Sequence, residues 1–159
     1  MTQIAIIGAG DCDCDSDLYI AAETAGARVA ETGAVLLTGG LFGVMEAASR
    51  GAKSRGGTTV GIIPTLDGEN AYTDIVIRTG LGQARNTVLV QSAGAVVAIG
   101  GGYGTLSEIA AALKLKKKVF GFRTWDINGV IACETSVEAV TRAIDACRTS
   151  NQDFIRQEL

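Results

Sequence analysis

The sequence predicts an α/β fold, with one doubly wound, mostly parallel sheet and helices on both of its faces. Two observations lead to this prediction. Strand-like runs alternate with helix-like runs along the chain, and the strand-like runs are continuously apolar rather than alternating. Continuous apolar runs are typical of strands buried on both faces of a parallel sheet. With 159 residues, the chain is long enough for one domain with a full core, which we assign to residues 1–159.

The elements follow in order from these runs. We predict strands at 4–7, 34–37, 58–63, 75–77, 95–99 and 119–122. Helices are predicted at 17–32, 44–55, 83–92, 105–115 and 136–148. Ser16 or Asp15 can cap the first helix, Pro64 closes the third strand, and the stretch 125–133 fits no single element. Alternating units of this length imply right-handed crossovers and a Rossmann-like arrangement.

The composition excludes several classes of function. The chain has no histidine, which rules out Ser-His-Asp and Cys-His catalysis and imidazole zinc sites. A net charge of -3 argues against nucleic-acid binding. No run reaches the length of a membrane span, and no export signal is recognisable. We therefore expect a cytoplasmic protein whose four cysteines are free thiols.

Glycines gather where strands are predicted to end. They follow the first strand at Gly8 and Gly10, the second strand at Gly39, Gly40 and Gly43, and the fifth strand at 100–104, where four of five residues are glycine. In a doubly wound sheet, ligands bind at the carboxyl ends of the strands. Helix N-termini there offer unpaired N–H groups, so the pattern predicts a cradle for a phosphate-bearing ligand.

Other ligands fit the pattern less well. A dinucleotide fingerprint beginning at Gly8 needs a third glycine where the chain has Asp13. A P-loop motif does not occur. Cys12 and Cys14 could hold a metal only with distant partners, so we predict no metal site and regard their segment as a solvated loop.

Three polar residues stand near the glycines. Thr105 and Glu108 match a capping box, with Thr105 as the N-cap of a helix and Glu108 bonding back to its N–H. Arg85 follows Gly80 and Gly82, where its guanidinium could contact a phosphate or a carboxylate.

Three segments together resemble the lonely-guy (LOG) superfamily. They are the GGLFGVM run at 39–45, Arg85 with Asn86, and the GGYGTLSE run at 101–108. The resemblance implies phosphate binding at Gly101, Gly102, Gly104 and Thr105. In family members that cleave the N-glycosidic bond of nucleoside 5′-monophosphates, it also implies catalytic positions for Arg85 and Glu108.

The chain departs from that family in three places. Gly100 replaces a proline, Asn86 replaces a lysine, and Glu46 replaces a glycine. These differences resemble a sister branch that includes molybdenum cofactor carrier proteins. We therefore expect a carrier of a phosphate-bearing, nucleotide-like ligand, either an AMP-like nucleotide or a molybdopterin-type cofactor, and no cofactor that folding requires. A phosphoribohydrolase and a non-catalytic regulatory module are the alternatives.

The resemblance also implies a homodimer or a higher homo-oligomer. In the helix after Arg85, the consecutive Val88, Leu89 and Val90 cover more than one helix face. Such a helix is usually buried on both sides.

Overall fold

The computed structural model describes residues 1–157, and the side chains of residues 1–149. Seven strands and five α-helices occur in that part of the chain. The strands are β1 (Gln3–Gly8), β2 (Val35–Thr38), β3 (Thr59–Ile63), β4 (Ile75–Arg78), β5 (Ala95–Ile99), β6 (Val119–Phe122) and β7 (Val130–Ala132). The helices are α1 (Asp17–Glu31), α2 (Val44–Ser54), α3 (Arg85–Ser92), α4 (Tyr103–Lys114) and α5 (Ser136–Gln157). The predicted α/β fold is confirmed.

All strand pairs in the sheet are parallel, and the strand order is β4-β3-β2-β1-β5-β6-β7. The order reverses direction between β1 and β5, whose last residues pair as Gly8 with Ile99. Such a reversal opens a crevice at the carboxyl ends of the two strands, because the connections that leave them run to opposite faces. This crevice is where the fold places a ligand.

The apolar runs of the central strands β1 and β5 are buried on both faces, as their composition predicts, whereas the run in the edge strand β4 is largely exposed. In β1, Ile4 and Ile6 pack with α1, α2 and α5, whereas Ala5 and Ile7 pack with α3 and α4. Successive strand residues point to opposite faces, so one continuous apolar run serves two cores. All four of these side chains have 0–1% exposure.

Helices α1 and α2 touch through their backbones. A Cβ on Gly26 would lie 1.9 Å from the carbonyl oxygen of Ala48, and one on Gly51 would lie 1.8 Å from that of Glu23. Only glycine permits this approach. The close packing fixes the two helices that follow β1 and β2 and so positions the loops beside the crevice.

Several predicted boundaries need correction. Helix α4 begins at Tyr103 rather than at residue 105. The helix predicted from residue 83 starts as a 3-10 turn at Gly82–Ala84 and becomes α-helical at Arg85. The unassigned stretch at 125–133 contains the short edge strand β7.

Of the two predicted caps of α1, the structure uses Ser16, whose Oγ accepts the backbone N–H of Tyr19 at 3.2 Å.

In the part of the chain that the structure describes, no helix has the length and apolarity needed to cross a membrane. All four cysteines lie in that part and are free thiols, as predicted.

Candidate functional site

An open cavity of about 320 Å³ lies at the carboxyl ends of β1, β2 and β5. Sites for small molecules have volumes of roughly 300–1,000 Å³, so this cavity is at the lower end of the sizes that such sites have. Four segments line the cavity: the loop after β1, the loop after β2 with the start of α2, the start of α3, and the start of α4. The lining residues are Gly8, Gly10, Asp11, Leu41, Met45, Gln83, Arg85, Asn86, Gly102, Gly104, Thr105 and Glu108.

The loop between β5 and α4 turns on glycines. Gly100 and Gly101 have φ of 57° and 110°, a region that favours glycine. Gly102 then stands at the N-cap position of α4, and its carbonyl accepts the N–H of Leu106 at 3.0 Å. The backbone N–H groups at the start of α4 have no partner within the helix, and they lie at the cavity wall.

The capping box predicted for this helix is wrong. Thr105 lies inside α4 rather than at its N-cap, and no side chain caps the helix. Glu108 is instead buried and paired with Arg85. The glycine turn places the N-cap three residues earlier than the capping box predicts, at Gly102, and Arg85 gives the carboxylate a cationic partner.

Gly102 and Gly104 differ from most glycines of the chain. Neither has a positive φ, so neither takes the left-handed backbone that favours glycine. A Cβ at either position would meet no heavy atom of the described residues within 4 Å. Close packing therefore does not require glycine at these two positions. The absence of side chains there widens the cavity and exposes its N–H groups.

The other predicted glycines have packing roles. A Cβ on Gly39 would lie 2.7 Å from Nη2 of Arg85. One on Gly40 would lie 2.5 Å from the Ile63 side chain, and one on Gly43 would lie 2.4 Å from the carbonyl of Ala9. A Cβ on Gly101 would clash with Thr105. These four residues surround the cavity without lining it, and their direct contact with a ligand stays a prediction.

Gly8 both packs and lines the cavity. A Cβ there would lie 2.1 Å from the carbonyl oxygen of Ile99. This close approach keeps β1 and β5 together where the crevice opens.

Arg85 is the one basic side chain among the lining residues that the structure describes. Its guanidinium is buried, with 7% of the side chain exposed. Nη1 donates to Glu108 Oε1 at 3.3 Å and to Asn86 Oδ1, and Nη2 donates to the carbonyl oxygen of Gly39 at 3.5 Å. Nε has no hydrogen-bond partner among the described residues. The guanidinium is thus held by α3, α4 and the end of β2 and keeps a donor free.

Burial raises the pKa of Glu108 to about 7, although the charge of Arg85 beside it acts in the opposite direction. Burial also lowers the pKa of Arg85, and Glu108 opposes that shift. Arginine nevertheless stays protonated at neutral pH because its ordinary pKa is so high. The pair therefore carries a positive charge on Arg85 and a proton on Glu108 that exchanges near neutral pH.

Asn86 continues the polar network towards the helix start. Its Nδ2 donates to Ser107 Oγ at 3.2 Å and to Gln83 Oε1 at 3.4 Å. Ser107 Oγ donates in turn to the carbonyl oxygen of Gly104 at 2.7 Å. Asn86 thus acts as a neutral link between α3 and α4.

Sequence reasoning missed three groups of the lining. Asp11 follows β1, Gln83 precedes Arg85, and Leu41 and Met45 follow β2. The rule that strand ends form the site could have included Asp11, which stands three residues beyond a predicted glycine.

The structure describes no cluster of three or more side chains of the His, Cys, Asp and Glu types that could hold a metal. Cys12 donates its thiol to the carbonyl oxygen of Ala9 at 3.7 Å, and Cys14 is exposed. Both belong to the loop that carries Asp11.

Comparison with known proteins relates this geometry to a family. The sequence profile of the SLOG cluster4 family matches residues 1–152. An uncharacterised protein of Archaeoglobus fulgidus is 47% identical over 148 residues, which cover 92% of this chain and 97% of that protein.

Two solved structures have the same fold. The molybdenum cofactor binding protein of the phototrophic bacterium Rippkaea orientalis is 38% identical, with a TM-score of 0.82 over 91% of this chain and 96% of that one. The Moco carrier protein of Chlamydomonas reinhardtii is 35% identical, with a TM-score of 0.83 over 94% of this chain and 98% of that one. The resemblance to the branch with molybdenum cofactor carriers is confirmed.

The buried carboxyl makes the stability of the ligand-free protein depend on pH. The folded state holds the Glu108 proton more tightly than the unfolded chain, whose carboxyl has a pKa near 4.5. This contribution to stability is complete below pH 4.5 and is lost as the pH rises through about 7. We expect the free energy of unfolding to fall by up to about 1.4 kcal/mol per pH unit in this window.

Urea unfolding between pH 4.5 and 7.5 measures the slope. Glu108→Gln should remove most of it, and Glu134→Gln, which changes an exposed glutamate, should leave it unchanged. An equal slope in wild type and Glu108→Gln would contradict the assignment.

Proposed function

Because this chain belongs to the SLOG cluster4 family, we propose that it is a carrier that binds a phosphorylated, nucleotide-like ligand, of the molybdopterin type, in the cavity at the start of α4. The observation that carries the proposal is the pair Gly102 and Gly104, whose missing side chains open the wall beside Arg85. Neither close packing nor a positive φ accounts for glycine at these two positions.

The residues present fit a phosphate group. Unpaired N–H groups at a helix start, together with the helix dipole, favour an anion. Arg85 adds a guanidinium whose Nε lacks a partner among the described residues. The start of α4 would hold the phosphate, Arg85 would contact it or the adjoining part of the ligand, and the pterin would fill the rest of the cavity. The molybdenum chemistry of such a ligand belongs to the ligand itself.

Asn86 supports a carrier rather than a hydrolase. The resemblance places a lysine of the LOG enzymes at this position, whereas Asn86 uses its amide to bridge Arg85 and Ser107. A neutral bridge stabilises the wall of the cavity and supplies no charge to a reaction.

Mass spectrometry of small molecules released by denaturing the purified protein tests the proposal. From cells that make the molybdenum cofactor, wild type should release a phosphorylated pterin. Gly102→Val should release at least about tenfold less of this pterin than wild type, because a branched side chain would occupy the place of the anion. Its free energy of unfolding should fall only by the value of an N-cap change, about 1 kcal/mol, because a Cβ there meets no heavy atom of the described residues.

Ala110→Val is the matched control, since Ala110 is exposed on the same helix α4 and lies outside the cavity lining. This variant should release as much ligand as wild type. Equal release from folded Gly102→Val and wild type would place the ligand elsewhere.

A second function has support in Glu108. A buried carboxyl beside Arg85 at the cavity wall is also what an N-glycosidic hydrolase of the LOG type would use, because a carboxylate can stabilise a cationic centre on ribose. In that case wild type would release ribose 5-phosphate from a nucleoside monophosphate, and Glu108→Gln would slow release by roughly a hundredfold with binding retained.

If the protein is a carrier, wild type should release no ribose 5-phosphate from AMP or GMP. Release by pure wild type that Glu108→Gln abolishes would replace the carrier proposal by the hydrolase.

Self-association is part of the proposal as well. Leu89 and Val90 are buried within the chain, whereas Val88 is 38% exposed. On the edge strand β4, Ile75 and Ile77 are 51% and 45% exposed. These three side chains supply apolar surface for a homo-oligomer. Light scattering at micromolar concentration should give at least twice the mass of the chain, and a monomer would contradict self-association.

A further inference from the structure

The cavity contains a carboxylate that the proposed phosphate site does not explain. Asp11 is an exposed lining residue, and the structure gives its side chain no hydrogen bond or ion pair with any described residue. Glu108, the other acidic lining residue, is paired with Arg85. Asp11 is therefore a carboxylate without a cationic partner at the wall of a cavity whose proposed ligand is an anion.

The loop that carries Asp11 is held in place. Cys12 Sγ and the backbone N–H of Val44 both donate to the carbonyl oxygen of Ala9, the latter at 2.8 Å. The N–H of Ser16 donates to the carbonyl oxygen of Asp13 at 3.0 Å. Asp11 thus lies between two fixed points, at the end of β1.

An unpaired carboxylate in a phosphate site lowers affinity unless the ligand has donors for it. A carboxylate accepts two parallel N–H bonds. The edge of a 2-amino-4-oxopyrimidine ring, which occurs in pterins and in guanine, offers a ring N–H and an amino group side by side. The matching edge of adenine presents a ring nitrogen lone pair, which a carboxylate repels.

We infer that Asp11 binds the N–H donor edge of a 2-amino-4-oxopyrimidine ring, so that the cavity selects pterin-like or guanine-like ligands over adenine-like ones. This inference rests on the proposed function and names the class of ring that the site accepts. Phosphate binding at α4 and ring selection at Asp11 use different segments of the wall.

A series of three nucleotides tests the inference with the full chain. GMP has both donors at this edge, IMP lacks the amino group but keeps the ring N–H, and AMP has no ring N–H there. Calorimetric titration of wild type, stripped of any copurified ligand, should give the order GMP, IMP, AMP, with GMP binding roughly tenfold or more tighter than AMP.

Asp11→Asn keeps the size of the side chain and removes its charge. It should reduce the ratio of GMP to AMP affinity to near one, mainly by weakening GMP. Asp13→Asn is the matched control, because Asp13 is exposed in the same loop but does not line the cavity. It should keep the wild-type ratio.

Two results would overturn the inference. The first is equal affinity of wild type for the three nucleotides. The second is an unchanged ratio in Asp11→Asn, which would mean that the carboxylate only repels phosphate if all three nucleotides bind that variant more tightly. In each case the nucleotides still bind, so phosphate binding survives. Failure of all three to bind would also overturn it, and the copurification experiment would then decide the proposed function separately.

Discussion

The buried ion pair between Arg85 and Glu108 fixes the geometry of the site. The pair joins the first residue of α3 to the second turn of α4, and Arg85 also reaches the carbonyl of Gly39 at the end of β2. A buried charge without a partner is strongly unfavourable, so neither residue can change alone without cost to the fold. The relative position of two cavity walls follows from this contact.

The glycines around this pair fall into two groups with different physical reasons. Those at 39, 40, 43 and 101 permit close packing or a positive φ, so the fold itself requires them. Gly102 and Gly104 have neither requirement in the described part of the chain. Glycine inside a helix lowers stability by up to about 1 kcal/mol relative to alanine, and the proposed ligand would account for its presence at 104.

Much of the fold could be predicted from the sequence because burial on both faces leaves a direct mark. The run at 4–7 is apolar throughout since its alternate residues enter two different cores. Strand β7 could not be predicted in this way, because its three residues are only partly buried at the edge of the sheet. Its pairing with β6 is a tertiary contact.

The site was predictable where the signal is local and not where it depends on distant partners. The glycine loops can be recognised from the spacing of glycines after the predicted strands, whereas Glu108 matches a capping pattern that the structure does not use. Its partner Arg85 lies 23 residues away, beyond the reach of any local pattern. Asp11 was missed for a related reason, since its place in the wall depends on how the loop after β1 folds back onto α2.

The central claim is that the start of α4 binds the phosphate of the ligand, and a crystal structure of the protein with GMP tests it most directly. We expect phosphate oxygens within hydrogen-bond distance of the backbone N–H groups at 102–105. Phosphate bound elsewhere, for example in the groove lined by Asp17 and Arg123, with the start of α4 free of ligand, would contradict this claim.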